Sequence, residues 1–216
     1  MLKTSKLFIC ACVVALLSSC SSPSGNRGNN QDQAHHVPLS CIAVLPAGTS
    51  VSEENTIEIE EAKSLEKGAA YATDVMRNEL KGHPNVRIMS TNEVSTLIPE
   101  VSGGQIGTVI TLGQKLNCDG VLLTTVHRYK EREGTEYAAD SPASVNFSMV
   151  LRHAKNGNVL WSADFRERQQ SFLSNIFSFT QAKKRGFKWI SVEELMEQGI
   201  QERLNDCPYL TNPLRQ

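Results

Sequence analysis

Val145-Asn146-Phe147-Ser148-Met149-Val150-Leu151-Arg152 alternates apolar and polar residues with period two, so Val145, Phe147, Met149 and Leu151 share one face of a strand. Asn156-Gly157 follows, the strongest short signal for a hairpin. Val159, Trp161, Ala163 and Phe165 then line one face of the returning strand.

Upstream, Cys118-Asp119-Gly120 turns into Val121-Leu122-Leu123-Thr124-Thr125-Val126-His127-Arg128-Tyr129, an apolar strand whose far end becomes polar. A polar stretch from Glu131 to Pro142 joins it to the hairpin. Nearer the N-terminus, Cys41-Ile42-Ala43-Val44-Leu45-Pro46 is a short continuous apolar run ended by proline, the pattern of a strand buried on both faces. The segment from Gly48 to about Glu60 has no assignable period. From about Ala62 to Lys81, Leu65, Ala69, Ala72, Val75, Met76 and Leu80 recur at three- and four-residue spacing and predict an amphipathic helix, stopped by Gly82 and Pro84.

Val86 to Ser90 reads as a second strand, and Ser90 or Thr91 caps a helix through about Leu97 with Glu93 in its first turn. Gly103-Gly104 lacks the lysine and Ser/Thr of a phosphate loop and reads as a turn. A helix over Ile106 to Leu116 follows, with Ile106, Val109, Ile110, Gly113 and Leu116 on one side. Near the C-terminus, Ser191-Val192-Glu193-Glu194 has the form of a capping box, and Val192, Leu195, Met196, Gly199, Ile200 and Leu204 give the face of a last helix. This order predicts an α/β fold: a mixed sheet with strand-helix repeats followed by an antiparallel hairpin and a C-terminal helix. It occupies residues 39–210 as a single domain, with 211–216 as a tail.

Between the hairpin and that last helix lie Phe172, Ile176, Phe177 and Phe179, then Lys183, Lys184, Arg185, Phe187, Lys188 and Trp189. One reading is an exposed aromatic and basic surface suited to an anionic headgroup, a glycan or a neighbouring subunit. The other places the aromatics over the sheet and the basic residues at a helix C-terminus, with Gly186 as its terminating glycine.

The N-terminus has a different logic. Lys3 and Lys6 precede an apolar core from Leu7 to Leu17, too short to span a bilayer and of the length of an export signal. Leu17-Ser18-Ser19-Cys20 closes it and resembles the lipobox of bacterial lipoproteins. That resemblance implies that residues 1–19 are a signal peptide and that Cys20 becomes an acylated N-terminus, palmitate among its chains. Ser21, where aspartate is absent, implies sorting to the outer membrane, periplasmic face. Residues 20–38 are polar and rich in Gly, Asn and Ser and read as a flexible tether. Its root-mean-square reach is about 25 Å. His35-His36 within it reads as solvated rather than as a metal site.

Loss of residues 1–19 takes away two lysines and leaves 20 basic against 23 acidic side chains, a net charge of −3 that offers nothing to nucleic acid. Besides Cys20, the processed chain keeps Cys41, Cys118 and Cys207. In an oxidising periplasm these suggest one disulfide and one leftover thiol, or an intermolecular bond; buried small hydrophobes are the other reading. Cys41 and Cys118 each precede a strand and Cys207 ends a helix, which puts all three at one end of the sheet if the strands are parallel and the helix runs antiparallel to them. No zinc spacing occurs.

For catalysis there is no GxSxG, HExxH or comparable signature. His127 stands at a strand end, His153 beside a hairpin turn, and Asp119 before Gly120 reads as a turn residue. No enzyme activity, cofactor or metal is expected.

Three patterns in order, Ile42 to Pro46, Cys118 to Val126 and Val150 to Ser162, resemble the periplasmic domain of the CsgG/LpoB/PelC-like lipoprotein superfamily of Gram-negative bacteria, over roughly Ser40 to Phe165. The resemblance implies a non-enzymatic protein, anchored by lipid to the outer membrane and often oligomeric. It would act as an envelope assembly or adaptor component that binds another envelope protein or a second copy of itself. The alternative is a subunit of a secretion or polysaccharide-export apparatus. A pore is not expected, because Pro99 to Thr111 and Glu167 to Lys188 lack the alternation of membrane hairpins.

Overall fold

The computed structural model describes residues 39–50, 58–98, 103–135, 139–168 and 190–210. Its order is β1 (Ile42–Val44), β2 (Gly48–Thr49), α1 (Ile59–Glu79), β3 (Val86–Ile88), α2 (Thr91–Leu97), α3 (Gly104–Leu116), β4 (Gly120–Lys130), β5 (Glu133–Gly134), β6 (Ala139–Ser141), β7 (Ser144–His153), β8 (Val159–Arg168) and α4 (Val192–Asp206). The fold is α/β, with a mixed sheet, helices, the expected hairpin and the C-terminal helix.

The sheet order is β3-β1-β4-β7-β8. β1 runs parallel to both β3 and β4, while β7 lies between β4 and β8 and runs antiparallel to each. β2 resumes the line of β1 after Pro46 and pairs with β4 at Thr125 and Val126. With a neighbour on each side and both faces covered, β1 is buried throughout, which is why Ile42 to Val44 is a continuous apolar run.

Helices cover both faces. On one, α1 and α4 lay Leu65, Ala72, Met76, Leu195, Met196 and Ile200 over Ile42, Leu122, Phe147, Met149 and Leu151. On the other, Val109, Leu112 and Leu116 of α3 close over Ala43, Val121 and Met89. Each large side chain buried in this way contributes about 1.5–3 kcal/mol. Ser90 and Ser191 are the N-caps of α2 and α4, each in a complete capping box with the glutamate three residues on.

The structure departs from the expected pattern in several places. α1 begins at Ile59, three residues before Ala62; Ile59 is 74% exposed, so no apolar period reaches it, and Glu60 and Glu61 favour the positive helix end. Ile106 is 49% exposed and lies over the hairpin turn, where a Cβ on Gly157 would meet it at 2.6 Å. Gly157 itself has φ +72°, the left-handed conformation that the turn requires. Val159 leaves the apolar face, because an irregularity between Leu151 and Arg152 pairs it with Arg152 and turns it to 52% exposure. The polar connection before the hairpin holds the small β5-β6 pair.

Candidate functional site

The strongest built feature lies where the chain enters the sheet. β1 and β4 are parallel with Ile42 opposite Gly120, so the residues just before them are neighbours. α3 ends on Asn117 in the left-handed conformation, φ 54°, and this turns the Cys118 N–H back to donate to the Gly113 carbonyl at 3.0 Å. Cys118 thereby meets Cys41 with a Cα–Cα distance of 4.5 Å, and the two form a disulfide across a sequence separation of 77.

Asp119 completes the junction. Its Oδ2 accepts the Ser40 N–H at 2.8 Å, the Ser40 hydroxyl, and the Cys41 N–H at 3.4 Å. Asp119 and Gly120 in turn donate their N–H groups to the Cys41 carbonyl at 2.9 and 3.1 Å, and Ala154 donates to the Asp119 carbonyl at 2.7 Å. Donation from Ser40 holds the Asp119 carboxyl below its ordinary range, against an opposing effect of burial. The aspartate read as a turn residue thus also fastens the segment at Leu39 and Ser40 to the central strand. No sequence spacing signals that bond, because its partners stand 79 residues apart.

Cys207 is apart from this pair. It is fully buried in the layer under α1 and α4, whereas Cys118 belongs to the layer under α3. Burial pushes its thiol up to about 11.

A second seam joins α1, the end of β4 and the start of α4. Lys67 Nζ pairs with Glu193 Oε1 at 2.9 Å and stands 5.8 Å from the centre of the Tyr129 ring. Glu131 Oε2 accepts the Val192 N–H at 3.3 Å, adding an acceptor at the N-terminus of α4. Burial works against ionisation of Glu193, but its hydrogen bond and charge contact with Lys67 hold the carboxyl below the ordinary range. Burial pushes the Tyr129 phenol up. With Lys67 exposed and Glu193 half-buried, the ion pair contributes about 1 kcal/mol.

The third feature is the sheet face beyond the reach of α3. Thr125, Ser148 and Asp164 lie in one cross-strand row and Arg128, Asn146 and Arg166 in the next, all half-buried or exposed. His127 Nε2 is 2.9 Å from Ser148 Oγ, the one Ser-His contact among the described residues. Asp164 stands on the far side of Ser148, across from His127, so the trio lacks the carboxylate-histidine-serine order of a nucleophile with an oriented base. Among the described residues no group of three His, Cys, Asp or Glu side chains gathers for a metal. Nor is any described helix long and apolar enough to cross a membrane. The described residues also line a groove of about 290 Å³ between β3 and α2, formed by Arg87, Met89, Asn92, Glu93, Thr96 and Leu97, and a cleft of about 190 Å³ at the end of α1, where His83 Nε2 contacts the Leu210 carbonyl at 3.1 Å.

The comparisons stand beside this geometry. No family model matches the chain, and no curated protein does. Solved structures do. A PelC dodecamer from Paraburkholderia phytofirmans is 15% identical, with a TM-score of 0.43 over 78% of this chain and 88% of that one. The LpoB C-terminal domain from Salmonella enterica is 16% identical, with a TM-score of 0.38 over 63% and 89%. Lipoprotein GNA1162 from Neisseria meningitidis is 19% identical, with a TM-score of 0.38 over 68% and 92%. Likenesses at such scores say nothing of this chain's own partners.

Of the residues singled out in the sequence, the structure brings together Cys41 and Cys118 and separates Cys207 from them. Cys20, His35 and His36 lie outside the described residues, as do Phe172, Ile176, Phe177, Phe179, Lys183, Lys184, Arg185, Phe187, Lys188 and Trp189.

Proposed function

We propose that the protein is a non-catalytic lipoprotein of the outer-membrane envelope, held by lipid at Cys20 and serving as an assembly or adaptor component that binds an envelope protein or a second copy of itself. The observation that carries this reading is the junction at Ser40. The chain coming from the lipobox and the polar tether is fastened to the middle strand of the sheet by the Asp119 carboxylate, and the next residue is tied covalently to Cys118. A domain secured in this way at its membrane-side connection suits a part that works while anchored. The sheet face with Arg128, Asn146 and Arg166, and the aromatic and basic residues from Phe172 to Trp189, are its proposed contact surfaces.

Crosslinking in intact cells followed by mass spectrometry tests the reading, with capture of an envelope protein or of a second copy as the expected result. Absence of both products sinks it, and ring-shaped oligomers with a charged lumen would shift it to an export apparatus. A Cys20→Ala chain should leave the outer-membrane fraction; if it still fractionates there, lipid is not the anchor.

A further inference from the structure

α3 covers β1 and the base of β4, but farther along β4 the same sheet face is exposed at Arg128 and Arg166, with half-buried Asn146 between them. Neighbouring strands lie about 4.8 Å apart, so the two arginines stand about 10 Å from each other across β7. Arg128 is on an inner strand, where no charge is needed to shield an edge. Its Nε donates to Ser144 Oγ at 2.7 Å, which holds the guanidinium against the sheet. Neither arginine pairs with a carboxylate among the described residues, although Asp164 stands one row back on the same face. The whole chain has a net charge of −1, so this face runs against the overall sign.

The charges that match it lie in the helix layer on the opposite side of the same sheet. Every basic side chain of α1 and α4, namely Lys63, Lys67, Arg77 and Arg203, is already paired with a carboxylate of these two helices. Glu79 and Glu197, both exposed, are among the carboxylates left without such a partner. Gln201 Nε2 donates to Glu79 Oε1 at 2.9 Å and lies 3.5 Å from Glu197 Oε1, so one neutral amide holds two carboxylates together where α1 and α4 meet. Burial pushes the Tyr71 phenol up, and the charges of Glu197, Glu193 and Glu194 push it further, the mark of a negative field over this layer. Packed helices run about 8–10 Å apart, which gives charges on α1 and α4 the spacing of charges on β4 and β8.

We infer that the exposed face of β4, β7 and β8 receives the α1–α4 layer of a second copy of this chain, with Arg128 and Arg166 meeting that copy's Glu79 and Glu197. The contact joins two different surfaces, so it is head-to-tail, and each copy presents a further surface to the next. It gives β7 and β8 a helix layer on both faces, as β1 and the base of β4 have within one chain. This rests on the self-association arm of the proposed function.

The test follows the mass of the full chain in detergent by sedimentation. Wild type should associate. Arg128→Glu/Arg166→Glu sets acidic against acidic groups and Glu79→Lys/Glu197→Lys sets basic against basic, so each variant alone should associate roughly tenfold or more weakly. Mixed together, the two should associate again, because each contact between them joins opposite charges; a variant that merely misfolds would not be rescued. Glu61→Lys/Glu66→Lys has the net charge of the second variant but keeps the carboxylates at Gln201, and it should associate like wild type. If it is as weak as the second variant, net charge governs association and the interface is wrong. If wild type associates and either reversal does so equally well, or the mixture stays monomeric, the interface is wrong while self-association stands. A wild type that is monomeric throughout also overturns the interface, and the adaptor reading is then decided by heterologous crosslinks in cells.

Discussion

Gly113 of α3 lies so close to Ala154, beyond the end of β7, that a Cβ added to it would stand 2.2 Å from the Ala154 Cβ and 3.2 Å from the Ala154 Cα and the Cys118 carbonyl oxygen. Two of these neighbours are backbone, so the helix cannot accept a methyl group by moving a flexible side chain. Alanine would gain about 1 kcal/mol in helix propensity. Overpacking costs about 1–3 kcal/mol, and a 2.2 Å approach puts the site at the upper end. Gly113→Ala should therefore lower stability by about 1–2 kcal/mol in urea denaturation. Adding Ala154→Gly should recover part of the loss, because it removes the shortest of the three contacts.

The Cys41–Cys118 disulfide closes a long loop that contains α1, β3, α2 and α3. Reduction, or the double change Cys41→Ala/Cys118→Ala, should cost about 2–5 kcal/mol. The measurement is the urea midpoint with and without dithiothreitol. A midpoint unaffected by reductant would mean that the bond contributes nothing to the folded chain.

Asp119 gives the junction a pH dependence of definite sign. Its carboxyl is lowered in the fold, chiefly by donation from Ser40, so the stability it contributes is present above the unfolded pKa and is lost as pH falls through the folded value. Wild type should weaken in acid more steeply than Asp119→Asn. At neutral pH the variant should be less stable by about 1 kcal/mol, and the two stability curves should approach each other at low pH.

Cys207 provides an independent probe of the other layer. With its thiol buried and pushed up to about 11, it should resist maleimide at pH 8 in the native chain and label fully once the chain is unfolded. The raised value also means that the folded state holds this proton where the unfolded state releases it. Stability attributable to the thiol is intact below about pH 9 and falls as pH rises toward 11. Rapid labelling without denaturant would show that the layer under α1 and α4 opens locally.

The hairpin and the capping box at Ser191 were legible because their signals are local: Asn156-Gly157 with alternation on either side, and Ser191 three residues before a glutamate; at α2 the sequence left the cap open between Ser90 and Thr91, and the structure makes it Ser90. The face of α4 was legible too, since Val192, Leu195, Met196, Gly199, Ile200 and Leu204 are all buried. Val159 escaped because a single irregularity opposite Arg152 reverses the face of every residue beyond it, and alternation cannot show where pairing slips. β2 escaped because two residues hold no period at all. At the junction, Cys41, Cys118 and Asp119 could be named from the sequence, but Ser40 could not be matched to Asp119. That bond depends on β1 and β4 lying side by side, which is a property of the topology and of neither segment alone.

In the anchored state proposed above, the chain is pulled from its first residues whenever the envelope moves, and the fold meets such tension early. Force entering through Leu39 must strip Ser40 from Asp119, and one residue later it reaches a covalent bond to the base of β4. From there the load is shared with β7 along the longest ladder in the sheet, from Gly120 to Lys130. β1, with three residues, does not have to bear it alone.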